Sequence, residues 1–153
     1  MFLPPMLPLE TPETAGYFEG SRLGELRVQA CRSCGRLRHP PCPVCPWCHS
    51  TDREWRTVSG RGRIWSFIVP HPPLLPGFTE LAPYNVVLVE LDEDATIRVT
   101  GQLVERVGDA PSGIDPDTIV IGEPVRAVFH RVEDVGFLQW VRAVGPADGR
   151  GGQ

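Results

Sequence analysis

The chain has 153 residues, of which 22% are charged and 41% hydrophobic, and it carries a formal net charge of −4. This composition is typical of a globular protein, and the length fits one ordinary domain or two very small ones. The sequence has no apolar run long enough to cross a membrane, and its first residues lack the basic segment of a signal peptide. We therefore expect a cytoplasmic protein without a membrane partner.

The N-terminal segment, residues 1–25, predicts an extended arm followed by a short helix over about Pro12–Leu23. Pro12 suits the first position of this helix, because a backbone N–H there would have no partner within the helix and proline has none to satisfy. Gly16 and Gly20 weaken the helix. After it, Leu26–Ala30 alternates as a strand.

Two Cys-x-x-Cys pairs follow, Cys31 with Cys34 and Cys45 with Cys48. Four thiolates at this spacing can stand at the corners of one tetrahedron, which is the geometry of a structural zinc ion. Gly35 follows the first pair and His49 follows the second, and both residue types are found with a left-handed backbone. The sequence therefore predicts a metal-binding ribbon over residues 26–57, with zinc as its cofactor.

Three alternatives compete with zinc. Disulfides are disfavoured because five cysteines leave one unpaired and nothing indicates an oxidising compartment. A thioredoxin-like redox pair needs a βαβ pattern, which does not surround these residues. Iron also suits four thiolates, and Cys45-Pro-Trp-Cys48 resembles half of a rubredoxin site, but nothing else indicates electron transfer. The fifth cysteine, Cys42, is expected to be a small, half-buried apolar residue.

Beyond the ribbon, short strands alternate with loops rich in proline and glycine. A strand over 55–58 leads into a turn, and five more are predicted over 64–69, 84–91, 96–105, 125–132 and 137–144. Gly101 is expected to mark a bend. The alternation of apolar and polar residues in these segments supports a small closed β domain. Five strands are the number that an OB-fold barrel requires, whereas a seven-stranded sandwich would need more strands than the sequence offers. We place this domain at 58–145 and a flexible tail at 146–153.

The charge is unevenly distributed. Between Ser21 and Trp65 there are nine arginines and three acidic residues, a net charge of +6, so the remainder of the chain carries −10. Such a basic ribbon could meet phosphates or an acidic partner. The alternative is that the arginines solvate a small ribbon that has few other polar groups.

The two cysteine pairs, the segment Val58-Ser-Gly-Arg-Gly-Arg-Ile-Trp-Ser-Phe and the later Ile121-Gly-Glu-Pro-Val resemble the family of acyl-CoA-associated zinc-ribbon/OB-fold proteins. The likeness runs from about Tyr17 to Val144. It implies a mostly β fold with a short N-terminal helix, a rubredoxin-like zinc ribbon and a five-stranded OB-fold barrel. Members accompany thiolase-superfamily enzymes, and some resemble the OB-fold parts of subunits that pair with lipid-transfer-protein-like aldolases in bacterial steroid side-chain breakdown.

The resemblance, together with the lack of an obvious catalytic constellation in the sequence, predicts a non-catalytic accessory subunit of a thiolase-superfamily acyl-CoA enzyme. The most specific expectation is a retro-aldolase that cleaves a β-hydroxyacyl-CoA bearing a steroid side chain. One alternative is a subunit that bridges thiolase and hydroxymethylglutaryl-CoA synthase-type enzymes. An alternative of another class is a single-stranded nucleic-acid-binding protein. We disfavour it because the barrel segment is acidic and its strands carry few exposed-looking aromatic residues.

Two groups of contact residues are expected. The first would touch a ligand or the acyl-CoA, through a histidine beside the proline-rich loop and two ribbon arginines: His71, Arg36 and Arg38. The second would face the partner, because the weak helix and the loop over residues 70–78 offer apolar surface. Its members are Tyr17, Phe18 and Leu23.

Overall fold

The computed structural model describes residues 1–143, and the predicted tail at 146–153 lies outside them. The described part contains one α-helix and eight β-strands: α1 Ala15–Arg22, β1 Arg27–Cys31, β2 Leu37–Arg38, β3 Arg53–Thr57, β4 Arg61–Ile68, β5 Val86–Leu91, β6 Asp94–Leu103, β7 Pro124–Val132 and β8 Val135–Arg142. Two short 3₁₀ turns, Pro111–Gly113 and Pro116–Thr118, lie between β6 and β7. Across residues 1–143, no helix combines the length and the apolar character needed to span a membrane.

Helix α1 begins at Ala15, three residues later than predicted. The segment before it forms a separate turn, in which the N–H of Thr14 donates to the carbonyl of Thr11 at 3.0 Å. The N–H of Thr11 donates in return to Oγ1 of Thr14 at 2.9 Å. The threonine side chain thus closes the turn and makes no hydrogen bond that caps the helix.

The ribbon contains a three-stranded antiparallel sheet in the order β2-β1-β3. The central strand β1 is buried from Val28 to Cys31. Strand β2 was not predicted, because it has only two residues and is paired through Gln29 and Ala30 of β1. The side chain of Gln29 in β1 is fully buried, and its Oε1 accepts hydrogen bonds from Arg38 of β2 and from the N–H of Cys42.

The second sheet is a closed barrel in the order β4-β5-β6-β8-β7. Strands β6 and β8 run parallel, with Gln102 opposite Gln139, and the other neighbours are antiparallel. This is the predicted five-stranded OB-fold, and its interior is filled by alternate residues of the strands. Trp140 is fully buried in it. At Gly101, a Cβ would lie 2.6 Å from Nε1 of Trp140, so the glycine makes room for the indole ring.

Helix α1 joins the ribbon to the barrel. On the ribbon side, Gly16 packs directly on the ring of Trp55, which leaves no space for a side chain. On the barrel side, Gly136 of β8 packs against the main-chain carbonyl of Ser21. Phe18 is 8% exposed, so most of its surface is covered by the chain itself. The small residues that weaken α1 in isolation are what allow its close packing.

The N-terminal arm crosses the barrel before α1. The N–H of Phe2 donates to the carbonyl of Gly108 at 2.9 Å, and the carbonyl of Phe2 lies 2.7 Å from Nε2 of His130. Further along, Arg22 of α1 forms an ion pair with Glu10 at 2.8 Å. The arm is therefore fixed to the barrel at its start and to the helix at its end.

Candidate metal centre and contact surfaces

The four cysteines of the two pairs come together in the ribbon. Their sulfur atoms all lie within 4.8 Å of one another, with 3.5 Å between Cys31 and Cys48 and 3.7 Å between Cys34 and Cys45. A tetrahedral ion bound at about 2.3 Å from each thiolate requires sulfur atoms about 3.8 Å apart. The four cysteines are thus positioned to bind a metal ion.

Each pair forms a tight turn, here called a knuckle. In the first knuckle, the N–H of Gly35 donates to the carbonyl of Cys31 at 2.8 Å. In the second, the N–H of His49 donates to the carbonyl of Cys45 at 2.9 Å. Gly35 has φ 77° and His49 φ 61°, so the left-handed backbone predicted after each pair is confirmed.

In each knuckle, backbone N–H groups stabilise thiolate charge on the first cysteine of the pair. The N–H of Cys34 has the largest effect on Cys31 and lowers the pKa of that thiol to about 6, although burial opposes it. At Cys45, burial raises the pKa, but hydrogen bonds from the N–H groups of Cys48 and Trp47 and from the thiols of Cys48 and Cys34 together offset it, and the pKa is lowered. The thiolate is the form that binds metal, so these two buried sulfurs are prepared as ligands.

Cys42 lies outside this cluster. Its side chain is half-buried, as expected, and its Sγ donates to the carbonyl of Val44 at 3.2 Å. Its N–H donates to Oε1 of Gln29 at 2.9 Å. Cys42 thus belongs to the packing of the ribbon.

Acidic residues nearby neutralise several of the ribbon arginines. Arg27 pairs with Glu25 at 2.9 Å, and Arg56 pairs with Glu54 at 3.0 Å. Arg32 also lies 3.6 Å from Glu54. These ion pairs support the alternative in which the arginines provide the polar surface of the ribbon and do not bind a separate partner.

The two arginines expected to meet the acyl-CoA differ in exposure. Arg38 is 3% exposed and donates to the side chain of Gln29 and, at 3.3 Å, to the carbonyl of Cys42. Arg36 is exposed, and its guanidinium carbon lies 5.1 Å from the ring centroid of Trp47. Arg36 is therefore the one of the two that presents its charge to solvent.

The other predicted contact residues lie apart from the metal centre. His71 is exposed in the long loop between β4 and β5. Leu23 is 65% exposed at the end of α1. Tyr17 and Phe18 instead line a cavity.

That cavity has a volume of about 330 Å³ and lies between the arm, α1 and the outside of the barrel. Tyr17 and Phe18 of α1 form one wall, and Phe78 of the proline-rich loop forms another. Burial raises the pKa of Tyr17 to about 12, so its hydroxyl stays neutral. The sequence indicated apolar surface on the helix and on the loop, but it contained no signal that the two would enclose one space.

A four-cysteine ribbon followed by a five-stranded barrel of this strand order defines a zinc-ribbon/OB-fold protein. The family model described as "ChsH2, rubredoxin-like zinc ribbon domain" matches residues 18–54, and "ChsH2, C-terminal OB-fold domain" matches residues 55–130. The chain belongs to this ChsH2-type family, which the names of its relatives also call DUF35.

Three relatives illustrate the family. The chain is 36% identical over 135 residues to the 3-oxo-4,17-pregnadiene-20-carboxyl-CoA hydratase alpha subunit of Mycobacterium tuberculosis, covering 88% of this chain but only 39% of that protein. It is 39% identical over 107 residues to a DUF35 domain-containing scaffold protein of Methanothermobacter thermautotrophicus, covering 69% of this chain and 72% of that one. A chain of the solved structure "Ltp2-ChsH2(DUF35) aldolase" matches with a TM-score of 0.75 and 36% identity, covering 90% of this chain and 100% of that one.

Proposed function

We propose that the chain is a non-catalytic accessory subunit of a thiolase-superfamily acyl-CoA enzyme, and that its partner is a lipid-transfer-protein-like subunit. The observation that carries this proposal is the likeness to a chain of the Ltp2-ChsH2(DUF35) aldolase along the whole of that chain. The scaffold name of the Methanothermobacter relative supports an accessory role.

The reaction we propose for the complex is the retro-aldol cleavage of a β-hydroxyacyl-CoA with a steroid side chain. The aldolase in the name of the structural relative and the pregnadiene carboxyl-CoA in the name of the mycobacterial relative support it. In this proposal the partner supplies the catalytic residues. Arg36, exposed on the ribbon, is the candidate for contact with the phosphates of CoA.

We propose that the metal is zinc and that its role is structural. The cluster offers four protein thiolates, and four ligands complete the tetrahedral shell of zinc without an open position for a substrate. The ion would hold the two knuckles together and stabilise a ribbon too small to fold on its hydrophobic core alone.

A second candidate is a subunit that bridges thiolase and hydroxymethylglutaryl-CoA synthase-type enzymes. The 39% identity to a protein named as a scaffold favours it. Co-purification separates the two candidates, because each names a different partner. Recovery of a synthase-type enzyme together with a thiolase would replace the aldolase proposal.

The test of the aldolase proposal uses this chain, a lipid-transfer-protein-like candidate partner, and a mixture of the two. Each is incubated with a β-hydroxyacyl-CoA, ketone release is followed, and gel filtration reports the complex. We expect cleavage by the mixture and none by this chain alone. Full activity of this chain alone would refute the accessory role. Equal activity of the partner alone, without a complex on gel filtration, would refute the dependence.

Two matched substitutions locate the interface in the same assay. Leu23 and Val120 are similarly exposed, at 65% and 58%, but only Leu23 lies in the predicted partner surface. We expect L23D to weaken the complex at least about tenfold, because a carboxylate would be buried against apolar surface without a partner. V120D should leave complex formation unchanged.

A further inference from the structure

We propose that the hydroxyl groups of Ser33 and Ser50 form a clamp that holds the two knuckles together and slows the loss of the bound metal ion. Oγ of Ser33 donates to Oγ of Ser50 at 2.8 Å. Ser33 lies inside the first knuckle, and Ser50 follows the second. This inference rests on the proposed metal site, to which it adds two positioning residues beyond the four cysteines.

The main chain of each serine contacts a sulfur atom of its own knuckle. The N–H of Ser33 donates to the sulfur of Cys31, and the N–H of Ser50 donates to the sulfur of Cys48. The carbonyl of Ser50 also accepts from the N–H of Cys45 at 2.9 Å. Each serine is thus fixed to its own cysteine pair, and the bond between the two hydroxyl groups joins one pair to the other.

A second hydrogen bond closes this connection into a ring. The N–H of Asp52 donates to Oγ of Ser50 at 3.1 Å, which fixes the oxygen that accepts from Ser33. The carbonyl of Asp52 accepts in turn from the N–H of Arg32, the residue before Ser33, at 3.1 Å. The segment that follows the second knuckle is therefore attached to the first knuckle at two points, and neither attachment uses a cysteine.

The clamp lies next to the ligands that are open to solvent. Cys34 and Cys48 are exposed, whereas the first cysteine of each pair is buried. A chelator therefore meets the site at these two ligands, which belong to different knuckles. Ser33 precedes one of them, and Ser50 follows the other by two residues. Their hydrogen bond thus holds together the segments that must separate to release the ion, and hydrogen-bonded groups around the ligands tune metal affinity in this way.

The test uses the full zinc-loaded chain and follows the transfer of zinc to excess 4-(2-pyridylazo)resorcinol, whose zinc complex absorbs visible light. We expect S33A to lose zinc about fivefold faster than the wild type, as the loss of one hydrogen bond implies. S50A should lose it at least as fast, because it also removes the acceptor of the Asp52 N–H. In the S50A background, S33A should have no further effect, because the shared bond is already absent. S33T keeps the hydroxyl group and should restore the wild-type rate.

T57V is the matched control. It removes another exposed hydrogen bond of the ribbon, from Oγ1 of Thr57 to Oε2 of Glu25 at 3.2 Å. Thr57 pairs with Arg27, at the end of β1 that lies away from Cys31. T57V should therefore lose zinc at the wild-type rate. The Co²⁺ form of every variant should keep the absorption bands of a tetrahedral four-thiolate site, because no ligand is changed.

Three results would overturn the clamp. One is a wild-type rate of zinc loss in S33A, and another is a further acceleration when S33A is added to S50A. The third is an equal acceleration by T57V, because the serines would then act only through the general stability of the ribbon. A folded wild-type chain that binds neither zinc nor cobalt would instead refute the proposed metal site, and the clamp with it.

Discussion

The guanidinium carbon of Arg98 lies 3.9 Å from the ring centroid of Trp65 on the outer face of the barrel. Trp65 is 46% exposed, and it is the aromatic residue of the described barrel strands with the most exposed side chain. The arginine thus covers one face of the ring in a cation–π contact. OB-folds that bind single strands use several free rings, on which successive bases stack.

We therefore expect no salt-sensitive binding of single-stranded DNA or RNA at physiological ionic strength. Fluorescence anisotropy of labelled oligonucleotides at about 50 and about 200 mM salt measures it, because phosphate contacts produce a steep salt dependence. R98A, which uncovers the ring, should remain equally inactive. Sub-micromolar binding that weakens steeply with salt would reverse our choice between the two functional classes.

The second prediction concerns the metal. Purified protein should contain about one zinc ion per chain, measured by elemental analysis. C34S should lose the ion and the order of the ribbon, because three thiolates no longer complete the tetrahedron. C42S is the matched control and should keep the full metal content, since Cys42 lies outside the cluster. A folded wild-type preparation without zinc or iron would exclude the site.

The third prediction compares the surroundings of two ribbon arginines, the buried Arg38 in β2 and the exposed Arg36 just before β2. Gln29 and Arg38 are buried together, and Q29L would leave both the Nε–H of Arg38 and the N–H of Cys42 without the oxygen that accepts from them. We expect this variant to lose about 3 kcal/mol of unfolding free energy in urea. R36A removes an exposed cation–π contact and should cost less than about 1 kcal/mol. Equal losses in the two variants would show that Arg38 is not held as described.

The fourth prediction tests the packing of Trp140. G101A would place a methyl group 2.6 Å from Nε1 of the buried indole, and we expect a loss of about 1–3 kcal/mol from overpacking. At Gly113 a Cβ would meet nothing within 4 Å, so G113A serves as the control and should change stability by no more than about 0.5 kcal/mol. Urea unfolding of both variants decides it. An unchanged stability of G101A would contradict the packing.

The metal centre could be predicted because its determinants are local. Each knuckle is set by two cysteines two residues apart and by the residue that follows, and that short stretch also determines the left-handed turn at Gly35 and His49. The barrel was predictable for a related reason, since alternation along each strand reflects which side chains face the interior. The parallel neighbours β6 and β8 are part of the closed five-stranded barrel that the structure shows.

What escaped prediction depends on contacts between distant parts of the chain. Strand β2 exists through its pairing with β1, and two residues carry no periodicity of their own. The contact between Phe2 and His130 spans 128 positions, so no window of the sequence indicates it. The helix began late because the side chain of Thr14 closes a competing turn, a choice that local preference leaves open. The cavity likewise brings together residues that are distant in the chain, such as Pro8, Phe78 and Phe137.

Helix α1 packs closely on both sides, with the backbone at Gly16 against the ring of Trp55 and the backbone at Ser21 against Gly136 of β8. The contact between Ser21 and Gly136 joins two backbones and cannot be relaxed by rotating a side chain, and the ring of Trp55 fills the space on the other side, so a displacement on one side tends to move the helix as a body. The same helix carries Tyr17 and Phe18, which line the cavity. A displacement of the ribbon is therefore carried by α1 to the wall of the cavity, and a displacement of that wall is carried back to the ribbon.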